Sequence, residues 1–394
     1  MLRRSPVIAG ALAVGAAFGL AACSSGGTPQ NSIAGNVVKI AVEGPMTGDQ
    51  SSTGIDMWRG ASLMAATVNQ SGGVLGKHIE IVRVNDQAQA SRAVAVAERA
   101  IGKHIEAVVG PYNSAVGLEN LPVYLRAGVV VVRLTSNQKT NSMGITLQPM
   151  DYQVAPFEAS AVEKMAGHQR VAIVYDTSAY TSGVADQMKT LLTAAGIPVV
   201  AYQSFTSTQT QFADVLTAVK ASSPTVVYYD GYDPQAEDLV KQAAAMGVPG
   251  TCLVDGLAAQ GPTFLSTVPL ALAQKCVFSG VPTAAQFSDA SSYVTAYKAA
   301  YHEDPGTWGV FAYDSLGALV HEIQAVGSLS PAKVNAALLH LSGYAGATGT
   351  TTIDPATGNR LDPPLVMQIV DPTGHYVVSP DWSQRGALPS LPSL

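Results

Sequence analysis

From residue 37 onward the chain alternates short β-branched runs with longer amphipathic stretches. Val37-Val38-Lys39-Ile40-Ala41-Val42 reads as a strand closed by Gly44-Pro45, since β-branched residues suit the pleat and Gly-Pro breaks it. Ile55, Trp58, Ala61, Ala65 and Val68 then recur at helical spacing until Gly72-Gly73 stops them. A strand at 79–84, an alanine-rich helix over 91–102, a strand at 107–109 and a helix over 115–126 follow. The valines 129–132 show no polar alternation, as expected of a parallel strand covered on both faces.

The series restarts after residue 150. The pattern predicts helix 153–166, strand 170–175, helix 183–195, strand 198–202, helix 209–221, strand 225–229 and helix 234–246, with further strands opening at Cys252 and Cys276. Strands alternating with helices of this length imply βαβ units and parallel sheets. Two such series predict an α/β protein of two doubly wound lobes, with ligand sites outside the carboxyl ends of the strands. Periodicity alone leaves helices 289–302, 311–326 and 331–341, and strands near 350–353 and 365–370, without a lobe. The Pro-rich end, from residue 380, is expected to be mobile.

The first residues carry a different signal. Arg3 and Arg4 precede an apolar run over 7–20, which ends in Leu20-Ala21-Ala22-Cys23 and then Ser24-Ser25-Gly26-Gly27. These are the parts of a secretory signal peptide, and the run is shorter than the roughly 20 residues a bilayer span needs. A cysteine directly after Leu-Ala-Ala resembles the bacterial lipobox, which implies cleavage after residue 22 and acylation of Cys23. The alternative is an ordinary signal peptide with an incidental cysteine. Residues 23–35 then read as a lipidated flexible tether, and the protein is expected outside the cytoplasm, anchored to the cell membrane by its lipid.

Composition narrows the function. A net charge of −6 with only 13 % charged residues, and no Lys/Arg cluster after residue 4, argues against a nucleic-acid partner. Hydrophobic residues at 47 % of the 394 suffice for two cores. Cys252 and Cys276 are candidates for a disulfide in an oxidising compartment, two buried free thiols being the alternative. No His or carboxylate cluster accompanies them as a metal site would need. Enzyme signatures fail in turn: there is no G-x-S-x-G elbow, and neither His302-Glu303 nor His321-Glu322 completes H-E-x-x-H. The stretch 72–77 lacks phosphate-loop spacing and precedes a strand, and no G-x-G-x-x-G opens either series. No catalytic residue, cofactor or metal is expected.

Four segments carry a family resemblance: VNQSGGVLGKHIEIVRVNDQA (68–88), AVAVAERAI with AVVGPYNSA (within 93–115), VAIVYDTSAYTSG (171–183) and VVYYDGYDPQAEDLVKQAAAMG (226–247). In this order and spacing they resemble the type I solute-binding proteins of ABC importers, specifically the branched-chain amino-acid (Leu/Ile/Val) binding family. The resemblance implies two lobes joined by a three-crossover hinge. Lobe 1 would be 36–150 and 281–364, lobe 2 would be 151–280 and 365–382, and 383–394 a mobile tail.

Contacts are implied residue by residue. Ser114 would bind the ligand's α-carboxylate, or alternatively cap its helix, and Thr135, Ser136 and Asn137 would hold the same group. Tyr180 and Tyr232, in loops after their strands, would close over the ligand. Asp255 would pair with the α-ammonium, or cap the following helix. Thr53 and Gly309 stand where the family often places larger side chains against the ligand's tail, with Trp308 able to refill that space. Arg133 and Leu134 replace a usual Ser/Thr-Pro, so the arginine would either recognise a second acidic group or pair within lobe 1. The implied function is capture of an amino acid or related small polar molecule by a monomer that delivers it to an ABC permease. A ligand-sensing subunit reporting to a membrane receptor or kinase is the alternative.

Overall fold

A computed structural model describes residues 36–259 and 262–394. The expected signal peptide, the lipidation site Cys23 and the tether lie outside the described residues. The first sheet is built from β1 (Val37–Gly44), β2 (His78–Asn85), β3 (Ala107–Val109) and β4 (Val130–Val132). All pair in parallel in the order β2-β1-β3-β4. Helices α1 (Ser51–Gln70), α2 (Ala90–Ile101) and α3 (Ser114–Arg126) make the crossovers. This accounts for the all-apolar β3 and β4, whose residues are buried throughout.

The chain then passes to a second sheet. Helix α4 (Asp151–Glu163) leads into β5 (Val171–Asp176), α5 (Ala179–Ala194), β6 (Val199–Phe205), α6 (Ala213–Ala221), β7 (Val226–Asp230), α7 (Gln235–Met246) and β8 (Thr251–Asp255). Short helices α8 (Gly256–Ala259), α9 (Pro262–Thr267) and α10 (Leu270–Ala273) precede β9 (Cys276–Gly280). Cys252 and Cys276 face each other in the β8–β9 register with Cα atoms 4.6 Å apart, and a disulfide joins them. Of the two readings left open by the sequence, the bridge is the one observed.

The late elements then divide. Helices α11 (Ser291–Tyr301), α12 (Gly309–Val326) and α13 (Pro331–Leu339) return to the first lobe. There α12 packs along α1 so closely that a Cβ on Gly60 would lie 1.9 Å from the Gly309 carbonyl oxygen. The strand expected near 350–353 is split between two small antiparallel hairpins. One is β10 (Tyr344–Gly346) with β11 (Gly349–Thr351), the other β12 (Ile353–Asp354) with β13 (Asn359–Arg360). Strand β14 (Val366–Val370) crosses back to pair antiparallel with β9, and β15 (Tyr376–Val378) pairs with β14. The second sheet thus has seven strands in the order β15-β14-β9-β8-β7-β5-β6.

Two boundaries depart from the sequence pattern for identifiable reasons. Helix α5 begins at Ala179 rather than near 183. The Thr181 hydroxyl donates to the Asp176 carbonyl (2.7 Å) and the Ser182 hydroxyl to that of Ser178 (2.6 Å). These side-chain bonds close a first turn whose residues, by propensity, read as loop. Residues 383–394, expected as a mobile tail, lie against the second lobe after α14 (Pro380–Arg385). Ala387 and Leu388 are buried, the Leu388 N–H donates to Ala161 (2.9 Å), and the Gly250 N–H donates to the Ser393 hydroxyl (2.9 Å). Apolar residues inside a proline-rich stretch gave the packing that composition alone did not suggest.

Candidate functional site

The carboxyl ends of β3, β4, β5, β7 and β8 meet in a crevice between the lobes. Two hydrogen bonds cross it: the Tyr112 hydroxyl donates to the Leu257 carbonyl (2.9 Å), and the Asn137 amide donates to the Ala179 carbonyl (2.6 Å). Within it a small cavity of about 10 Å³ is lined by Ser114 and Ser136 of lobe 1, Tyr180, Tyr232 and Leu257 of lobe 2, and Tyr112, Leu134 and Trp308. That is room for roughly one water molecule. The aromatic rings pack edge-on or tilted: Tyr112 to Tyr232 at 6.1 Å, Tyr180 to Tyr232 at 6.5 Å and Tyr112 to Trp308 at 5.4 Å between centroids.

Lobe 1 presents an anion-binding edge. Ser114 is the first residue of α3, where the backbone N–H groups of the opening turn have no acceptor within the helix. Its hydroxyl oxygen accepts from the N–H groups of Ser136 (3.2 Å) and Asn137 (3.1 Å), which leaves its own hydrogen to donate. It therefore ties helix and loop together rather than capping the helix. The Ser136 hydroxyl is committed, donating to Pro149 (2.8 Å) and accepting from Gln148 (2.8 Å).

Not every expected contact lines this cavity. Thr135 is buried, its hydroxyl 2.9 Å from that of Thr140. Asn137 spans the lobes, and Thr53 lines a neighbouring cleft. Tyr180 lies in the first turn of α5, not in a loop, while Tyr232 does sit between β7 and α7. Arg133 recognises no cleft group and pairs with no carboxylate. It is fully buried behind the 135–137 loop, donating to the Thr135 carbonyl (3.0 Å) and to the Asn359 side chain. Burial pushes its guanidinium down to about 9, still charged at neutral pH.

Lobe 2 presents the opposite chemistry, more heavily than the sequence suggested. Asp255 is buried at the end of β8, one oxygen accepting from the Leu257 N–H (2.9 Å), with the Tyr180 hydroxyl and the Asp230 carboxyl beside it. Beside it stand Asp230 at the end of β7, Glu158 on α4 and Asp176 at the end of β5. Five carboxylate oxygens of these four residues are buried with no hydrogen-bond donor, both of Asp230 among them. The charged neighbours acting on Asp230 are themselves carboxylates: Asp255, Glu158 and Asp176. Burial, then this mutual repulsion, raises Asp230 and Glu158 well above the usual carboxylate range. Asp255 is pushed up to about 6 by burial, an effect tempered by its Leu257 N–H and by the adjacent Tyr180 hydroxyl. The hydroxyls of Tyr180 and Tyr228 are also buried without partners of good geometry.

Glu158 and Asp230 escaped sequence reasoning. Their signals were an acidic residue closing the otherwise apolar Val226-Val227-Tyr228-Tyr229 run and a glutamate on the alanine-bearing face of α4. Tyr112, directly after Gly110-Pro111 at the carboxyl end of β3, was also readable as a wall of the crevice. Among the described residues no group of three or more His, Cys, Asp or Glu is arranged to hold a metal ion.

Comparison with known proteins places this geometry. A family model described as periplasmic binding protein matches residues 37–374. An amino acid binding protein of Pseudomonas aeruginosa is 28 % identical over 310 residues, covering 75 % of this chain and 80 % of its own length. Among solved structures, a leucine binding protein from Thermotoga maritima superposes with a TM-score of 0.80 at 24 % identity, covering 87 % of this chain and 99 % of that one. A solute binding protein of an ABC transporter from R. palustris, solved with benzoate, gives 0.78 at 18 % identity, covering 91 % and 97 %. At these identities the structural matches speak to the fold.

Proposed function

Because the chain belongs to the periplasmic binding protein family, we propose that it is an extracytoplasmic solute-binding protein that encloses an α-amino acid between its lobes and delivers it to an ABC importer. One observation carries the ligand class: Ser114 of lobe 1 and Tyr180 of lobe 2 line one cavity, and behind Tyr180 lies a cluster of buried carboxyls with no cation among the described residues acting on Asp230. A carboxylate suits the lobe 1 wall, through the Ser114 hydroxyl and the opening turn of α3. An ammonium suits the carboxyl cluster, since buried acceptors without donors each cost about 1–3 kcal/mol and its positive charge and three N–H donors can answer up to three of them. Benzoate, the ligand of one structural neighbour, offers no such group.

In this mechanism the ligand's carboxylate docks on lobe 1 and its ammonium then recruits Asp255, with Asp230 and Glu158 behind it. Closure is favoured only by the difference in affinity between closed and open forms, and the lobe 2 carboxyls supply that difference. The relatives' names, amino acid binding and leucine binding, agree with the class. Residues 1–23 and a disulfide, which persists in oxidising compartments, support export and anchoring through Cys23.

The reading is tested by calorimetric titration of the purified protein with L-amino acids and with benzoate. Amino acids should bind and benzoate should not. Asp255→Asn should weaken amino-acid binding by about 1.5–3 kcal/mol, the range for a hydrogen bond to a charged group. Equal affinity of wild type and variant would overturn the assignment of the ammonium to this cluster.

A further inference from the structure

The crevice holds a second and larger space beside the tyrosine-lined cavity, a cleft of about 290 Å³. Thr53, Asp56, Arg59 and Trp308 line it from lobe 1, and Asp233 and Ala258 from lobe 2. Trp308 is a wall of both spaces. Asp233 and Ala258 directly follow Tyr232 and Leu257, which line the first cavity, so the lobe 2 walls run from one space into the other. When the lobes part enough for a ligand's α-carboxylate and α-ammonium to enter the first, its side chain is directed past Trp308 into the second.

The charges of the cleft can be sorted by their partners. Both oxygens of Asp56 accept backbone N–H groups, from Gly306 (3.0 Å) and Gly309 (2.5 Å). Arg59 is held by Glu303 at 2.5 Å, and Asp304 by Lys298 at 2.5 Å. Asp233 is different. It is 6 % exposed, one oxygen accepts from the Thr263 hydroxyl (2.8 Å), and its remaining side-chain partner is another acid, Glu237. Both carboxylate oxygens of Glu237 are buried too. Tyr112 and Tyr376 also face this carboxyl pair, and Lys241 acts on Glu237 only while bonded to Asp238 at 2.8 Å. The lining thus has one cation, already paired, and one buried acid whose nearest charged neighbour is another acid. The partly buried Thr53, at the start of α1, lines the same cleft.

We propose that this cleft is the subsite for the distal end of the ligand's side chain, and that this end is cationic. It rests on the amino-acid reading above and narrows it: the ligand is an α-amino acid with a basic side chain, not leucine, isoleucine or valine. A positively charged donor group at the end of a flexible chain reaches Asp233 and gives the Asp233–Glu237 acid pair the cation it lacks, where an aliphatic tail of the same length offers no charge.

The decisive comparison is calorimetric titration of the full chain with L-lysine, L-arginine, L-norleucine and L-leucine. Lysine and norleucine differ by the terminal ammonium alone. At least one basic amino acid should bind ten-fold or more tightly than norleucine. Asp233→Asn, with its fold verified by circular dichroism, should reduce that preference to three-fold or less. Norleucine or leucine binding as tightly as both basic amino acids overturns the proposal, and this wild-type comparison needs no variant. A preference unchanged by Asp233→Asn overturns it also. Binding of none of the four removes the amino-acid reading itself, and the subsite with it.

Discussion

Arg133 shows how one side chain decides what its neighbours can do. Its guanidinium sits under the 135–137 loop and fixes the Thr135 carbonyl, and it reaches Asn359 from the returning chain. Replacing it with methionine keeps the length and removes the donors, leaving two buried acceptors short of a partner. Arg133→Met should therefore lower stability by about 2–4 kcal/mol, read as a shift in denaturant midpoint. Discrimination between ligands with one and two carboxylates should not change, because the side chain never reaches the crevice. The sequence placed Arg133 beside the right loop but not on the right side of it. Alternation decides which way a strand residue points, and Arg133 lies just beyond β4, where alternation ends. Ser114, Ser136, Tyr180 and Tyr232 were named through the family resemblance, and the structure brings all four to the wall of one cavity. Glu158 was not, since an acid on a helix reads by default as a solvated face.

At the scale of elements, the packing of α1 on α12 sets the lobe 1 wall of the cleft. Gly60 allows the two backbones to touch at Gly309, the residue that follows Trp308, and Asp56 grips the same turn through two N–H groups. A methyl at position 60 must separate the helices, because what it meets is backbone and not a side chain that can swing aside. Gly60→Ala should cost about 1–3 kcal/mol, typical of overpacking, by thermal or denaturant unfolding. It should also weaken ligand binding by displacing Trp308, so a destabilised variant with unaltered affinity would separate the helix contact from the site. The alternation of strands and helices made these elements readable in order and type. Their partners were not, because α12 and α1 are some 250 residues apart and share no local pattern. The same limit hid the antiparallel pairing of β14 with β9, although the family resemblance had assigned residues 365–382 to the second lobe.

The whole molecule carries its acids in an unusual way. Burial pushes Asp86, Asp151, Asp233 and Asp255 up to about 6, and burial with the charge of Asp233 pushes Glu237 up to about 8. A carboxyl whose folded value is raised holds its proton more tightly when folded. Its stabilisation is complete below the unfolded-chain value near 4 and is lost as pH rises through the folded value. The melting temperature of the protein alone should therefore fall between pH 5 and pH 8. A cationic ligand acts in the opposite sense, since it favours the ionised carboxyls, so the increase in melting temperature it produces should grow across the same window. A flat profile in both cases would contradict the electrostatic account of lobe 2.

Trp308, so far a wall shared by two spaces, has a spectroscopic consequence. The chain has three tryptophans. Trp58 lies under the Arg83 guanidinium at 4.5 Å and Trp382 against Phe157 at 4.5 Å, and neither lines either cavity. Of the three, Trp308 stands in the crevice, 5 % exposed, beside the groups proposed to meet the ligand. Its indole emission follows the polarity and hydration of that crevice while the other two supply a constant background. If the lobes close on a ligand as proposed, Trp308 emission should shift on titration with it, a gauge that needs no dye attached.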